Sequence, residues 1–355
     1  MTSGRHADRR PAPFWLTVVA IAVLAAGLFV FVDVRDGEVL PAAGSASPDV
    51  SPEPSPTQGE APSALLSSPP HRGPLVLHGT GDVNLDPSYI STFASEGYGY
   101  AWSGLGGLFR RDDLTVVNLE CAVSDRGAAV PKEFNFRGDP DALPAMADAG
   151  VEVANLGNNH SYDYGPVALV DTVRNVERAG IEAVGAGVDR DDALAPALFD
   201  LEGWRVAVLG LDQVVDPFPE AVATASKPGT AAGHDTALML EAIRAAAARA
   251  DIVVVMIHWG VELDTEPREE QVALGRRMVE AGADVIFGGH SHRLQPKDTY
   301  RGRPIFYSLG NFVWPNFSYD GSLTAVAEVR VSPRGRFRGR LLPAFISSPG
   351  HPVLR

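Results

Sequence analysis

The chain of 355 residues contains only one cysteine, Cys121. A single thiol excludes an intramolecular disulfide and any cysteine-rich zinc cluster. A metal bound by this protein is therefore held by His, Asp, Glu or Asn side chains. That donor set favours zinc, manganese, iron or magnesium over soft-metal chemistry.

The chain also lacks an excess of positive charge. It has 30 Lys and Arg residues against 44 Asp and Glu residues, which gives a formal net charge of −14. No basic patch of consequence stands out in the sequence, so nucleic-acid binding is not expected. The acidic balance neither supports nor excludes an anionic polymer as partner. Bound cations can reverse the local charge within a Debye length of about 8 Å.

Charged residues are absent from residues 14–32, nineteen residues that run from Phe14 to Val32. This length spans a bilayer, and Arg5, Arg9 and Arg10 before it predict that residues 1–13 are cytoplasmic. The alternative is a cleaved signal peptide, whose apolar region is typically about 7–15 residues long. The length favours an uncleaved, single-pass anchor in the cell membrane, with the C-terminal domain extracellular.

Lysine and arginine are absent from the stretch between Pro41 and Pro70, which has eight prolines and seven serines. Such a composition buries too little apolar surface to fold. Residues 33–73 are therefore predicted to be a disordered Pro/Ser-rich tether. The globular domain is predicted over residues 74–345, and residues 346–355 are interpreted as a C-terminal tail.

Within the globular part, helical patterns alternate with short apolar runs. A helix, then Ala-Gly, then an apolar strand recurs at Ala149-Gly150, Ala179-Gly180 and Ala281-Gly282. This alternation predicts an α/β domain with a largely parallel sheet. In such sheets, ligands bind beyond the carboxyl ends of the strands.

Side chains that can bind a metal follow the predicted strands. His290 and His292 close the apolar run 283–288, and in extended backbone their side chains would leave on the same side. Each such residue alone fits a capping or turn role as well, but the set together predicts a metal site. The residues at predicted strand ends are Asp82, Glu120, Asn159, His160, His258, His290 and His292.

Six short motifs occur in a fixed order between Leu75 and Phe312. The ordered set resembles the CapA-like capsule-synthesis family, which is associated with poly-γ-glutamate capsules and is related to calcineurin-like metallophosphoesterases. The resemblance implies a four-layer α/β sandwich. The motifs are Gly81-Asp82-Val83, Asn118-Leu119-Glu120, Gly157-Asn158-Asn159-His160, His258-Trp259-Gly260, Gly289-His290-Ser291-His292 and Ser308-Leu309-Gly310-Asn311-Phe312.

The same resemblance implies a centre of two divalent metal ions, with Mn, Fe or Zn as the expected cations. It also implies six metal ligands. These are Asp82 and His292 for one cation, Asn159, His258 and His290 for the other, and Glu120 as the bridge between them.

Two further residues of the resemblance concern proton transfer. His160 resembles the phosphoesterase general acid, and Asp163 is expected to orient its ring. Asn311 is either a donor that supports the ligands or a turn residue, and the sequence leaves both open.

The chain departs from the family patterns at three positions. Asn84 stands where metallophosphoesterases have a histidine, which leaves it at most a supporting role. Glu120 replaces the usual bridging aspartate, and Gly289 replaces a histidine of many capsule-family members. The first metal position is therefore expected to be weaker than the second.

Two functions follow as hypotheses. The first is a membrane-anchored, metal-dependent hydrolase or transferase that acts on a phosphoester or amide of an envelope polymer. The second is a non-catalytic subunit that binds or guides an anionic polymer during export. Either function is compatible with a capsule-synthesis complex at the membrane.

Overall fold

The computed structural model describes residues 71–214 and 218–355. The predicted cytoplasmic tail 1–13, the anchor 14–32 and residues 33–70 of the tether lie outside the described residues. Within those residues, no helix is both long enough and apolar enough to cross a membrane.

The described residues form a mixed α/β fold, as the alternating pattern predicts. The helices are α1 (Thr92–Glu96), α2 (Tyr100–Ser103), α3 (Leu143–Asp148), α4 (Gly165–Arg178), α5 (Arg190–Ala193), α6 (Thr236–Ala247), α7 (Glu269–Ala281) and α8 (Tyr319–Ser322). The strands are β1 (Leu75–Val83), β2 (Leu114–Leu119), β3 (Ala122–Val123), β4 (Arg137–Gly138), β5 (Val153–Asn155), β6 (Glu182–Val184), β7 (Ala186–Gly187), β8 (Ala197–Leu201), β9 (Trp204–Asp212), β10 (Gly229–Thr230), β11 (Ile252–His258), β12 (Val285–Gly289), β13 (Lys297–Tyr300), β14 (Arg303–Phe306), β15 (Asn311–Val313), β16 (Leu323–Val331), β17 (Phe337–Ser348) and β18 (His351–Leu354).

Two large sheets carry the fold. The first has the order β18-β17-β16-β1-β2-β5-β6, with β15 paired to β1, and the second has the order β13-β14-β12-β11-β9-β8. The central pairs β1–β2, β2–β5, β9–β11 and β11–β12 are parallel. Helices α3, α4, α6 and α7 lie between successive parallel strands in the sequence, because such strands need a crossover connection.

The apolar residues separate into three clusters that define four layers. Along β11, residues 253, 255 and 257 pack toward α6 and α7, whereas residues 252, 254 and 256 pack toward the other sheet. In β2, residues 114 and 116 lie between the sheets, and residues 117 and 119 pack with residues of α3 and α4. Both faces of these strands are therefore buried, which is why their sequences are continuous apolar runs.

Helix ends follow local sequence signals. The Asp235 side chain caps α6 by accepting from Leu238 N, and α4 has Pro166 in its first turn. Helix α7 has acidic residues in its first turn and ends at Gly282, whose φ of 120° suits a residue without a Cβ. The repeated Ala-Gly junctions thus mark the points where chain direction changes from helix to strand.

The C-terminal residues differ from the sequence interpretation. Strand β17 continues to Ser348, and β18 pairs antiparallel with it, so residues 346–355 extend the first sheet instead of forming a tail. Four residues that include Pro352 carry too weak a local signal to predict a strand. Pairing with β17 supplies the hydrogen bonds that make β18 a strand.

Candidate metal centre

The carboxyl ends of strands from both sheets meet at one edge and bring the predicted ligands together. Strand pairing aligns these strand ends with one another. Asp82 lies beside Asn118 in the first sheet, and His258 lies beside Gly289 in the second. Each ligand is the last or next-to-last residue of its strand or follows it within a few positions. From the first sheet come Asp82, Glu120 and Asn159, and from the second come His258, His290 and His292.

Glu120 occupies the middle of this group. It is fully buried, and neither oxygen of its carboxylate has a hydrogen-bond partner. Its Oε1 lies 3.4 Å from His258 Nε2 and 4.0 Å from both His292 Nε2 and His160 Nε2. A buried carboxylate without hydrogen bonds is costly, so this arrangement calls for a positively charged group.

The first ligand group consists of Asp82, His292 and Glu120, whose donor atoms all lie within 4.8 Å of one another. His292 Nδ1 is 3.1 Å from Asp82 Oδ2. The backbone N–H of His290 and the Asn118 amide, the latter at 2.8 Å, also donate to the Asp82 carboxylate. Asp82 is therefore held in place by several donors.

The second ligand group contains His258, His290 and Glu120, again with donor atoms within 4.8 Å of one another. His258 Nε2 lies 3.1 Å from His290 Nδ1 and 2.8 Å from Asn159 Oδ1. Two imidazole nitrogens, an amide oxygen and a shared carboxylate thus converge. Their role as ligands stays a prediction, and their convergence is the geometry that the prediction requires.

The two histidines after β12 converge by another route than the sequence predicts. Strand β12 ends at Gly289, and His290 and His292 have φ values of 91° and 53°, outside the extended region. Alternation along a strand is therefore the wrong explanation. A turn in which Ser291 Oγ donates to the Arg293 carbonyl directs the two rings toward Asp82 and Glu120. Backbone strain of this kind is common at functional sites.

Gly289 is required by the packing of this centre. A Cβ at this position would overlap Asp82 Oδ1 and lie 3.2 Å from Asn118 Nδ2. The histidine of many capsule-family members at this position therefore has no room in this chain.

Burial and neighbouring charges shift the pKa values of the predicted ligands in different directions. Burial and the neighbouring Asp82 charge raise the pKa of Glu120 well above its usual value. Burial also raises the pKa of Asp82, but the hydrogen bond and charge of His292 more than offset this, and the net shift is downward. Burial lowers the pKa of His258 to about 4 and that of His290 well below its usual value, so both rings are neutral. Neutral imidazole is the form that binds a metal.

His160 and Asp163 form a buried pair at the side of the centre. His160 Nδ1 lies 2.7 Å from Asp163 Oδ2, which also accepts from the Phe136 backbone N–H. Lys132 Nζ donates to Asp163 Oδ1 and to the Asn159 carbonyl. Burial lowers the pKa of His160, although the hydrogen bond to Asp163 opposes this shift.

The side chains of the two predicted supporting asparagines, Asn84 and Asn311, hydrogen-bond to backbone atoms and not to a predicted metal ligand. The Asn84 Oδ1 accepts from the Asp86 N–H at 2.8 Å, and its buried Nδ2 has no partner. Asn311 is paired with Asp82 in the sheet, and its Nδ2 donates to the Gly321 carbonyl at 3.0 Å. Its buried Oδ1 has no partner.

Several residues of the site were not assigned a role from sequence. Asn118 donates to Asp82 and lies 3.0 Å from His258 Nδ1, so it links the two ligand groups. Its own Oδ1 accepts from Asn155 at 2.8 Å. An asparagine inside an otherwise apolar buried run is costly unless it is hydrogen-bonded, and that is the signal available in the sequence. Asp212 lies beside His258 in the sheet, and burial raises its pKa to about 6.

Aromatic rings form one wall of the centre. The ring centroids of Phe136 and His160 are 4.2 Å apart, and those of Trp314 and His292 are 4.8 Å apart. Phe136 and Trp314 contact each other edge to face at 5.4 Å. This wall shields the imidazoles from water on that side and limits their rotation.

The donor set fits a divalent cation. Imidazoles, an amide oxygen and two carboxylates are ligands of the kind that Zn, Mn and Fe accept. The orphaned Glu120 carboxylate is the strongest structural indication, because a cation between it and the imidazoles would satisfy both of its oxygens.

Comparisons with known proteins identify the family of this chain. The family model described as bacterial capsule synthesis protein PGA_cap matches residues 76–316. The capsule biosynthesis protein CapA of Bacillus anthracis is 39% identical over 187 residues, which cover 52% of this chain and 45% of that relative. The PGA biosynthesis protein CapA of Bacillus subtilis is 35% identical over 242 residues, covering 67% and 63% of the two chains.

Among solved structures, the NAD nucleotidase of Haemophilus influenzae superposes with a TM-score of 0.50 at 15% sequence identity. The match covers 77% of this chain and 50% of the nucleotidase. At this identity, the likeness concerns the fold alone. The family match covers most of the chain and includes every predicted ligand, and this chain therefore belongs to the bacterial capsule synthesis protein PGA_cap family.

Proposed function

We propose that this protein is a membrane-anchored, metal-dependent hydrolase or transferase that acts on a phosphoester or amide bond of an anionic envelope polymer such as poly-γ-glutamate. The observation that carries this proposal is the buried Glu120 carboxylate, unpaired and surrounded by three imidazoles. Two relatives named for capsule and PGA biosynthesis support the choice of polymer.

Two divalent cations would be held by the two ligand groups, with Glu120 shared between them. Bound there, they would supply Lewis acidity that lowers the pKa of water and stabilises a developing oxyanion. Asn118 keeps Asp82 and His258 in fixed relative positions through its amide group. The aromatic wall excludes water from one side of the substrate.

His160 is proposed to move the proton. When Nδ1–H donates to Asp163, the Nε2 of the neutral ring points toward the centre, 4.0 Å from Glu120. That nitrogen can accept a proton from the attacking water and return it to the leaving group. Asp163 stabilises the imidazolium formed in between, and Lys132 Nζ, 3.0 Å from Asp163 Oδ1, holds that carboxylate in place.

The cellular setting is part of the same proposal. Residues 14–32 would anchor the protein in the cell membrane, with residues 1–13 cytoplasmic and the catalytic domain extracellular. At that location the protein would meet the polymer as it leaves the cell and would assemble with other capsule-synthesis proteins of the membrane.

A second candidate function has one specific observation in its favour. Asn84 replaces a histidine ligand of the metallophosphoesterase pattern, and its side chain is engaged with the Asp86 backbone. The first cation would then have only Asp82, His292 and Glu120. A chain with one weak position could guide an anionic polymer during export without cleaving it.

Metal content of the intact chain, purified without chelators, separates these functions. About two transition metals per chain support the hydrolase or transferase, and about one supports a weakened first position. Glu120→Gln should lose both cations, because the shared ligand is gone. Glu241→Gln, which removes an exposed carboxylate on α6 outside the ligand set, should keep them. Absence of metal in the wild-type chain after reconstitution with Mn, Fe and Zn would overturn the catalytic proposal.

Turnover of phosphoesters and γ-glutamyl amides then tests the proton transfer. His160→Asn should keep its metal but lose roughly 10²-fold or more in turnover, the usual contribution of a general acid–base residue. His351→Asn, a substitution in β18, serves as the control. Full activity of His160→Asn would remove the residue from the mechanism.

A further inference from the structure

Five exposed arginines gather on one β-hairpin of this acidic chain. They all fall within residues 330–340, a local concentration that the negative net charge of the chain conceals, and strand pairing brings their side chains together. Arg330 lies opposite Arg338, and Glu328 lies opposite Arg340, so these side chains leave the same face of the hairpin. The five arginines are Arg330, Arg334, Arg336, Arg338 and Arg340.

Two of the arginines already hold a carboxylate. Arg330 Nε and Arg340 Nε both lie 2.7 Å from Glu328 Oε1, and their Nη2 atoms lie 3.4 and 3.1 Å from Oε2. Each guanidinium therefore contacts both oxygens. The hairpin backbone thus sets guanidinium groups at positions suited to carboxylates.

The other three arginines have no acidic partner in residues 71–214 and 218–355. No carboxylate of the described chain lies within 4.0 Å of Arg334, Arg336 or Arg338. With Arg330 they line a groove of about 720 Å³. The groove also contains apolar side chains, and its single acidic residue, Asp113, accepts from the Val76 N–H.

The groove lies away from the metal centre. Leu75 at the start of β1 lines the groove, whereas Asp82 at the other end of the same strand belongs to the centre. Seven residue steps of extended strand separate them, a distance of roughly 23 Å at about 3.3 Å per step. A ligand in the groove therefore cannot be a small molecule bound at the metal centre.

We propose that this arginine groove binds a linear polycarboxylate chain at a site separate from the metal centre. Guanidinium groups pair with carboxylates through two parallel hydrogen bonds. Arg336 and Arg338, which both line the groove, repeat at two-residue spacing, roughly 6.6–6.8 Å in extended backbone, which presents a row of charges to a repeating polyanion. Exposed apolar groove residues such as Pro74 and Pro333 suit the methylene groups between the carboxylates.

The test measures binding of fluorescent poly-γ-glutamate to the intact chain in mild detergent at low salt. Arg334→Gln/Arg336→Gln/Arg338→Gln should weaken binding about tenfold, as expected for the loss of three exposed ion pairs. The matched control is Arg174→Gln/Arg244→Gln/Arg277→Gln, which removes the same charge from exposed positions on α4, α6 and α7. The control should change affinity by no more than about twofold, because general attraction to distant charges is screened. Unchanged thermal unfolding midpoints establish that both variants fold.

Three results would overturn the proposal. The first is equal weakening by both triple variants, which would indicate only general attraction between charges. The second is absence of polymer binding together with arginine-dependent binding to phosphatidylglycerol vesicles, which would identify a lipid surface. The third is loss of polymer binding in Glu120→Gln, which would place the polymer at the metal centre. The proposal does not depend on catalysis, so a metal-free, inactive protein that binds polymer through the groove would leave it standing.

Discussion

Single residues decide how tightly the metal centre is packed, and Gly289 is the clearest example. It lets the end of β12 approach Asp82 more closely than any residue with a side chain would permit. Asp82 cannot yield easily, because Asn118 and the His290 backbone donate to its carboxylate. The predicted weakness of the first cation position is therefore offset in part by a rigid Asp82.

Gly289→Ala tests this packing. The added methyl should displace Asp82 and destabilise the fold by about 1–3 kcal/mol, as overpacking does elsewhere. We also expect weaker metal binding, because one ligand of the first cation moves. Gly99→Ala is the control, since no atom lies within 4 Å of the added Cβ there. Chemical denaturation and metal titration of both variants give the comparison, and equal stability of the two would contradict the steric argument.

At this scale, the sequence predicts residue identities better than their conformations. The ligand types and their order are visible in short motifs. The positive φ values of His290 and His292 are not, because they depend on Asp82 accepting a hydrogen bond from the His290 backbone N–H. The linking role of Asn118 is hidden for the same reason, since its partners lie in other strands.

At the scale of single elements, a partly buried glutamate connects strands β5 and β2 of the first sheet. Glu152 precedes β5, and its Oε2 accepts from the Thr115 N–H of β2 at 2.7 Å. Burial raises the pKa of Glu152 to about 7, although this hydrogen bond opposes the shift. The folded chain therefore retains a proton that the unfolded chain releases near its ordinary pKa of 4.5.

The sign of the resulting pH dependence follows directly. A raised pKa in the folded state means that stability falls as the pH rises from about 4.5 to about 7 and stays lower above that range. Glu152→Gln removes this loss, so the variant should exceed the wild type in unfolding midpoint at pH 8 and match it near pH 4. Glu182→Gln, in the exposed part of neighbouring β6, should show no such gain. A variant less stable than the wild type at pH 8 would show that the carboxylate stabilises the strand pair.

The parallel strands and their helices could be predicted from sequence because each carries a local signal. Residues 252–257 of β11 are continuously apolar, and Ala-Gly marks the ends of α3, α4 and α7. The antiparallel edges could not be predicted equally well. Strand β18 has only four residues and includes a proline, so its state depends on pairing with β17.

The whole molecule places its ligands on both sheets, so metal binding should report on the docking of one sheet against the other. A cation that binds only the folded chain stabilises it by about 2.7 kcal/mol when its free concentration is 100 times the Kd. Addition of Mn, Fe or Zn to the metal-free chain should therefore raise the unfolding midpoint, and a chelator should reverse the rise. Scanning calorimetry gives the measurement and ranks the cations.

Glu120→Gln provides the control for that experiment. Because the substitution removes a buried, unpaired carboxylate, the metal-free variant should melt at or above the wild-type midpoint. Added cation should then have little effect on it. A metal-dependent rise of normal size in this variant would place the cation elsewhere in the chain.

The separation of ligands along the chain also determines when the centre can form. Asp82 and His292 are 210 residues apart in the sequence, and they meet only when the first and second sheets have both assembled. Contacts of such long range close late in folding, because the entropy of the intervening loop must be overcome first. A chain still being synthesised has Asp82, Glu120, Asn159 and His258 but neither His290 nor His292 until residue 290 emerges. A cation bound by these predicted ligands would therefore be captured late in folding, in the compartment where the two sheets come together.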